Sequence, residues 1–258
     1  MSKLPINTVA RLSENLSTLL EARSKHSTYQ EIHPDLMMLL DSNNSPLGKR
    51  ETARWECMTK QFDWEALRVL DIGANTGYFS IAAIKADANI VVAIEGNQEH
   101  AKFIQLASEL MSFQDRITVE NRYFNFEERS DAFDVALCLN VLHHLGDDFG
   151  DPLLCIDEAK LKMKRNLQHL SQYARYCWFQ LGFNWKGDRD LPLFGNGLKS
   201  ELIDFVQEAC GGYWKIKDVS IYNPHTRSYE PRNESLMERY NDIGEFLNRP
   251  LFLLEKFS

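Results

Sequence analysis

Val69-Leu-Asp-Ile-Gly-Ala-Asn-Thr-Gly-Tyr-Phe-Ser80 is the stretch on which the fold of this 258-residue chain turns. Residues 67–72 are short, branched and apolar, glycines follow at once, and residues 78–86 carry a helical pattern, so the segment predicts a strand, a tight turn and a helix. Gly73 and Gly77 stand where the strand must bend sharply into the helix. Glycine tolerates backbone angles that other residues resist, and it lets a ligand approach the main chain. The unpaired N–H groups at the start of the following helix favour a carboxylate or phosphate. A nicotinamide fold would want Gly-x-Gly-x-x-Gly, whereas this turn reads Gly73-x-Asn75-x-Gly77 with Asp71 ahead of it. Glu95 follows Val91-Val-Ala-Ile, 24 residues after Asp71, at the end of the next strand, where a carboxylate can accept hydrogen bonds from both ribose hydroxyls. Taken singly, the glycines could be turn residues of a structural unit and Glu95 a solvated strand end.

Outward from this turn the pattern alternates. Strand signals at 89–94, 117–123 and 133–139 flank a helix signal at 100–111. A helix near 152–173, a strand at 174–181, a helix at 198–210 and strands at 215–221 and 251–257 continue it. Alternation of this kind predicts a doubly wound, mostly parallel sheet with crossover helices. Ahead of it, helices are expected at 7–21, 32–40 and about 50–62, with a break at 42–47, so residues 1–64 form an N-terminal helical extension and 65–258 the main domain. Residues 222–248 are too long for a hairpin connection and read as an insertion between the last two strands, partly helical around 236–247.

Composition narrows the function. A net charge of -8 repels a phosphate backbone at long range and disfavours a nucleic-acid partner. The five cysteines are widely spaced and form no Cys-x-x-Cys pair, which predicts buried thiols in a reducing compartment and no zinc or redox centre. Residues 1–10 lack a basic stretch followed by an apolar run, and no uncharged segment reaches membrane-spanning length, so a soluble, cytoplasmic protein is expected.

Three motifs in order then carry a resemblance. Residues 69–80 match the Asp/Glu-x-Gly-x-Gly-x-Gly motif with Asn75 at its middle position; Ala93-Ile-Glu95-Gly-Asn97 matches the second motif, and Phe133-Asp-Val-Ala-Leu-Cys-Leu-Asn-Val-Leu-His-His-Leu145 the fourth. Over roughly residues 50–258 the chain resembles the class I S-adenosylmethionine-dependent methyltransferases, which have a Rossmann-like fold. The resemblance implies a seven-stranded α/β sheet with the last strand antiparallel, and S-adenosyl-L-methionine as methyl donor. It implies that the backbone at Gly73 and Gly77 lines the methionine part of the donor, that Ala74, Asn75 and Phe79 also belong to the cofactor site, and that Asp71 supports the loop. It further implies that Glu95, next to Gly96, holds the ribose, and that Asn140 and Val141 sit beside the methionine end. Many relatives carry an Asp after the third strand for the adenine amino group; here Glu120-Asn121-Arg122-Tyr123 leaves that contact to backbone or to Asn121.

Methyl transfer from a sulfonium is an in-line displacement in which positioning supplies most of the catalysis, so no metal is expected. A hydroxyl acceptor must also lose a proton, and His143 or His144, just beyond the fourth strand, is placed to take it, with Asp147 or Asp148 as orienting partner. Leu-His-His-Leu could equally be packing. The insertion carries His225, Arg227, Tyr229, Arg232, Arg239 and Tyr240, and the loop after the fifth strand Trp185, Lys186, Arg189 and Phe194. Guanidinium and aromatic groups together suit a sugar, phosphate or carboxylate. A small-molecule or glycan acceptor methylated on oxygen is therefore expected. Three alternatives remain: a non-catalytic module that binds S-adenosylmethionine or S-adenosylhomocysteine, a methyltransferase acting on RNA or protein, and a nicotinamide-dependent oxidoreductase.

Overall fold

The structure, a computed structural model, describes residues 5–21, 30–40, 50–128 and 132–257. The chain divides into two compact units, residues 1–55 with 62–124, and residues 56–61 with 125–258. The break expected at 42–47 lies outside the described residues. Among the described residues no helix is long and apolar enough to cross a membrane.

The first unit holds α1 (Ile6–Glu21), α2 (Pro34–Leu39) and the start of α3 (Arg50–Gln61), followed by β1 (Arg68–Ile72), α4 (Tyr78–Lys85), β2 (Ile90–Ile94), α5 (Gln98–Leu110) and β3 (Ile117–Glu120). Its strands run β3-β2-β1. All pair in parallel, with Val69 opposite Val91 and Val91 opposite Ile117. Val69, Leu70 and Ile72 are all buried, so both faces of β1 are covered and apolar residues stand at adjacent positions rather than alternating. Helix α4 is buried from Tyr78 to Ile84, which explains its small and apolar residues. Asn97 starts α5, its Oδ1 accepting the backbone N–H of Glu99 at 2.9 Å and of His100 at 3.0 Å. Helix α1 packs against α5 and buries Leu12 and Leu16.

The second unit contains β4 (Phe133–Leu139), α6 (Ile156–Leu170), β5 (Ala174–Gln180), α7 (Lys199–Cys210), β6 (Trp214–Asn223), β7 (Ser228–Pro231), α8 (Gly244–Asn248) and β8 (Leu251–Lys256). The order here is β4-β5-β8-β6-β7. Strands β4 and β5 are parallel, and β8 enters antiparallel to β5 and to β6. Trp178, Phe179, Phe252 and Leu254 form its centre, with Leu202 and Val206 of α7 also buried. Full burial of each such side chain contributes about 1.5–3 kcal/mol.

Among the described residues there are eight strands where seven were expected, because the insertion opens with a strand. Asn223 pairs with Ser228 and Tyr222 with Tyr229, closing a four-residue loop at 224–227 in which Arg227 adopts a left-handed φ of 57°. Strand β7 has four residues and ends at Pro231, so it shows little strand pattern and suits a sheet edge. The helix expected around 236–247 is cut down to α8 and two 3-10 turns, Glu234–Leu236 and Asn241–Ile243. Gly244, with φ 76°, breaks the helical path there.

Candidate active site

The glycine turn of the first unit is built from residues with positive φ: Gly73 at 68°, Asn75 at 52° and Gly77 at 77°. The N–H of Gly73 donates to Ile94 O at 2.8 Å, so the turn leans on the end of β2. Glu95, which follows immediately, is buried, and its two oxygens are separately occupied. Oε2 accepts the N–H of Asn75 at 2.7 Å and Oε1 that of Asn97 at 2.8 Å.

Behind the turn, Asp71 is buried and its Oδ2 accepts the Ser80 hydroxyl at 2.6 Å. Burial pushes its pKa up to about 7, the Glu95 charge adding to the rise against the Ser80 bond. Phe79 and Ala74 are buried as well. Asn121 donates its Nδ2 to Glu95 O at 2.9 Å and to Gly96 O at 3.2 Å. With its N–H groups spent on backbone, Asn121 offers a carbonyl oxygen, the group an adenine amino donor needs. A Cβ added at Gly96 would lie 2.2 Å from the Tyr123 ring, so glycine there lets that half-exposed ring cover the backbone.

In the second unit the histidines follow β4 in the 3-10 turn Leu142–His144, their ring centroids 4.3 Å apart. Their environments differ. His143 is buried and its Nδ1 accepts the N–H of Gly182 at 3.2 Å. Burial, then the neighbouring His144 and the Arg249 guanidinium, hold its pKa well below the ordinary histidine value. It is therefore a neutral imidazole whose Nδ1 is an acceptor. His144 is less enclosed and pairs through Nδ1 with Asp148 Oδ2 at 3.2 Å. His144, Asp147 and Asp148 bring ligand atoms within 4.8 Å of one another, close enough for a divalent cation, although a carboxylate orienting an imidazole produces the same arrangement.

At the end of β4 the ladder continues for one residue, since Asn140 N donates to Gln180 O at 2.8 Å. Asn140 has φ 63°, and Val141 after it starts the histidine turn. The Asn140 carboxamide is held at both ends: Nδ2 donates to Gln180 Oε1 at 3.0 Å, and Oδ1 accepts Arg249 Nη1 at 2.8 Å.

No protein-family model matches the chain, and no curated protein matches it by sequence. Solved structures do. WbdD, described as a bifunctional kinase-methyltransferase, aligns with a TM-score of 0.56 at 20% identity over 93% of this chain and 46% of that one. The magnesium protoporphyrin IX methyltransferase ChlM from Synechocystis PCC 6803, solved with bound SAM, aligns with a TM-score of 0.53 at 11% identity over 99% of this chain and 100% of that one. This chain has the class I methyltransferase fold. It spans about half the length of the WbdD chain.

On this methyltransferase fold the residues expected at the acceptor side separate into two groups. Arg189, His225, Arg227 and Arg232 are exposed. Trp185 and Tyr229 are buried: the Trp185 indole donates to Leu145 O at 2.6 Å, and the Tyr229 hydroxyl accepts Gln180 Nε2 at 3.3 Å. Phe194 is buried edge-on to Phe183, and Arg239 lies over the Phe183 ring at 4.3 Å. Two parts of this fold escaped sequence reasoning. Gln30 Oε1 accepts Thr76 N at 3.1 Å, Thr76 Oγ1 at 2.9 Å and Tyr78 N at 3.1 Å, capping α4 where it leaves the glycine turn. Arg249, buried, and Glu245, half-buried, form an ion pair, Nη2 to Oε1 at 2.6 Å. No motif marks Gln30; for Arg249 the signal was an i,i+4 Glu-Arg pair directly before an apolar strand.

Proposed function

We propose that the chain is an S-adenosyl-L-methionine-dependent methyltransferase that methylates an oxygen atom of a small molecule or a glycan end. The observation that carries this reading is Glu95: a buried carboxylate at the end of β2 fixed by two backbone N–H groups, one of them from the glycine turn. The residues of the turn fit the donor. The turn takes positive φ at Gly73, Asn75 and Gly77, and Asn121 offers an acceptor oxygen for an amino group. When bound, S-adenosyl-L-methionine supplies a methyl carbon made electrophilic by its sulfonium. Gly73 and Gly77 would bind the methionine part, with Ala74 and Asn75 in the same turn, Glu95 and Gly96 the ribose, and Asn121 the adenine edge.

For the proton, His144 is the better base of the pair. Asp148 Oδ2 lies 3.2 Å from its Nδ1, whereas His143 is enclosed and spends Nδ1 on Gly182. His143 then serves as a neutral packing partner that holds the turn. Arg189, His225 and Arg227, being exposed, are the proposed acceptor contacts, while Trp185 and Tyr229 support the surfaces that carry them. The net charge of -8 supports an acceptor other than a nucleic acid. Four of the five cysteines are buried, which supports a reducing, cytoplasmic setting.

The test is titration calorimetry with S-adenosylhomocysteine, followed by turnover against hydroxylated small molecules and sugar-terminated acceptors. Wild-type protein should bind, Glu95→Ala should lose about tenfold or more in affinity, and His144→Gln should lose turnover with binding retained. Absence of binding by the wild type overturns the reading. Binding without turnover on any acceptor class, RNA and protein included, would favour a non-catalytic module.

A further inference from the structure

We propose that Tyr123 binds the purine of the methyl donor, its ring supplying the flat apolar surface against which the base lies, next to Glu95 and Asn121. The inference rests on the methyltransferase reading above and deepens it, because the motifs say nothing about what the base lies against. Every residue it uses belongs to the first unit, as do the glycine turn and Glu95.

The starting point is a glycine that the backbone does not need. Gly73 and Gly77 take positive φ, whereas Gly96 does not, so its own conformation does not call for glycine. What excludes a side chain there is Tyr123. A Cβ on Gly96 would lie 2.2 Å from Cε1, 2.5 Å from Cδ1 and 2.7 Å from Cζ of that ring. The ring therefore takes the place of a side chain on the residue directly after Glu95. The loop that carries it is mounted on the same stretch of backbone: Glu95 N donates to Glu120 O at 3.1 Å, and Asn121 Nδ2 donates to Glu95 O at 2.9 Å and to Gly96 O at 3.2 Å. Arg122, whose guanidinium is the other planar group of this loop, is tied back to Glu120 Oε2 through Nε at 2.7 Å.

Burial does not account for the position of the ring. Tyr123 keeps 55% of its surface exposed, so much of its apolar area stays in water. It does so beside the proposed ribose contact, Glu95, and the proposed adenine contact, Asn121. With an aromatic face added, these are the groups that nucleoside recognition calls for: acceptors for hydroxyl and amino protons, and a surface for the base. A base gains substantially by stacking on an aromatic ring, and that contact is indifferent to the base's hydrogen-bonding edge. Tyr123 would thus supply affinity, and Asn121 the choice of adenine.

The experiment is calorimetry with S-adenosylhomocysteine on the full chain, joined to NMR of ring-labelled tyrosine. Tyr123→Ala should weaken binding roughly tenfold, and Tyr123→Phe, which keeps the aromatic face, should stay within about twofold of wild type. Gly96→Ala should lose a comparable factor by displacing the ring, and the variant carrying both Gly96→Ala and Tyr123→Ala should be no weaker than Tyr123→Ala, since the added methyl acts through that ring. In the wild type, saturating S-adenosylhomocysteine should move the Tyr123 ring resonances, identified by their loss in Tyr123→Phe, upfield in the ring current of the purine. This second measurement needs no destabilised variant, and a ring that only packs on Gly96 would not show the shift. Unchanged affinity in Tyr123→Ala, resonances unmoved at saturation, or losses that add in full overturns the proposal while leaving the methyltransferase reading intact. Failure of the wild type to bind S-adenosylhomocysteine removes both.

Discussion

The backbone N–H of Asn75 donates to Glu95 Oε2 at 2.7 Å, which ties the middle of the glycine turn to the first residue beyond β2. The two motif positions are therefore one mechanical object. A ligand that takes hold of Glu95 also meets a turn whose shape Glu95 maintains.

Glu95→Gln should separate these duties. The amide keeps one acceptor oxygen, so either the Asn75 or the Asn97 N–H loses its partner, and stability should fall by about 1–3 kcal/mol in urea denaturation. S-adenosylhomocysteine affinity should fall by about tenfold or more in calorimetry, exceeding the loss from a variant that only destabilises.

Asp71 makes the chain's stability respond to pH in a defined direction. Its folded pKa is raised to about 7 by burial, while the unfolded group titrates near its ordinary value of 3.8. Between those values the folded state binds the extra proton, so this group's contribution to stability is lost as pH rises from about 4 to 7. Asp71→Asn removes that loss. Chemical denaturation from pH 4 to 7 should show a slope of stability against pH more positive than in the wild type, by at most about 1.4 kcal/mol per pH unit.

His143 should stay neutral through the physiological range, because burial, His144 and Arg249 all act against its protonation. NMR of ring-labelled histidine should show its resonances unmoved from pH 8 to pH 5.5. Movement of the His143 signal with a midpoint near 6.5 would contradict the enclosure described.

Gln30 supplies the acceptor for the first free N–H groups of α4. Gln30→Ala should cost about 1 kcal/mol, as loss of a helix cap does, and should speed amide exchange at Thr76 and Tyr78 ahead of other α4 positions.

Lys199 is fully buried at the start of α7, and its Nζ donates to Leu236 O at 2.9 Å and Glu238 O at 2.7 Å. Burial, with the nearby Arg239 charge, lowers its pKa to about 8. Lys199→Met should leave those carbonyls without their donor and cost about 2–4 kcal/mol, seen as a lower melting temperature and earlier proteolysis within 232–243.

Much of the strand-helix alternation was legible because its signals are local. Apolar runs mark β1, β2 and β4, glycines mark the turn, and the helical period from residue 100 marks the body of α5. Strand β7 was not legible, since four residues ending in proline carry no period and gain their place by pairing with β6. The helix expected near 236–247 failed for a neighbouring reason: Gly244 takes a positive φ that interrupts an otherwise helical pattern. The candidate site divides likewise. Asp71, Gly73, Gly77 and Glu95 follow from spacing, but the distinction between His143 and His144 does not, for two adjacent imidazoles are chemically identical until burial and a carboxylate separate them.

What the sequence by itself determined is the class of fold and the location of the donor turn, because hydrophobic period and glycine placement act over a few residues. Only the tertiary structure decided that Gln30 caps α4, that Gln180 and Arg249 hold Asn140, and that Trp185 and Tyr229 turn inward. These are contacts between residues 40 to 109 positions apart, or burial that depends on such contacts. No local pattern encodes them, since a side chain's partners are set by which elements the whole chain packs together.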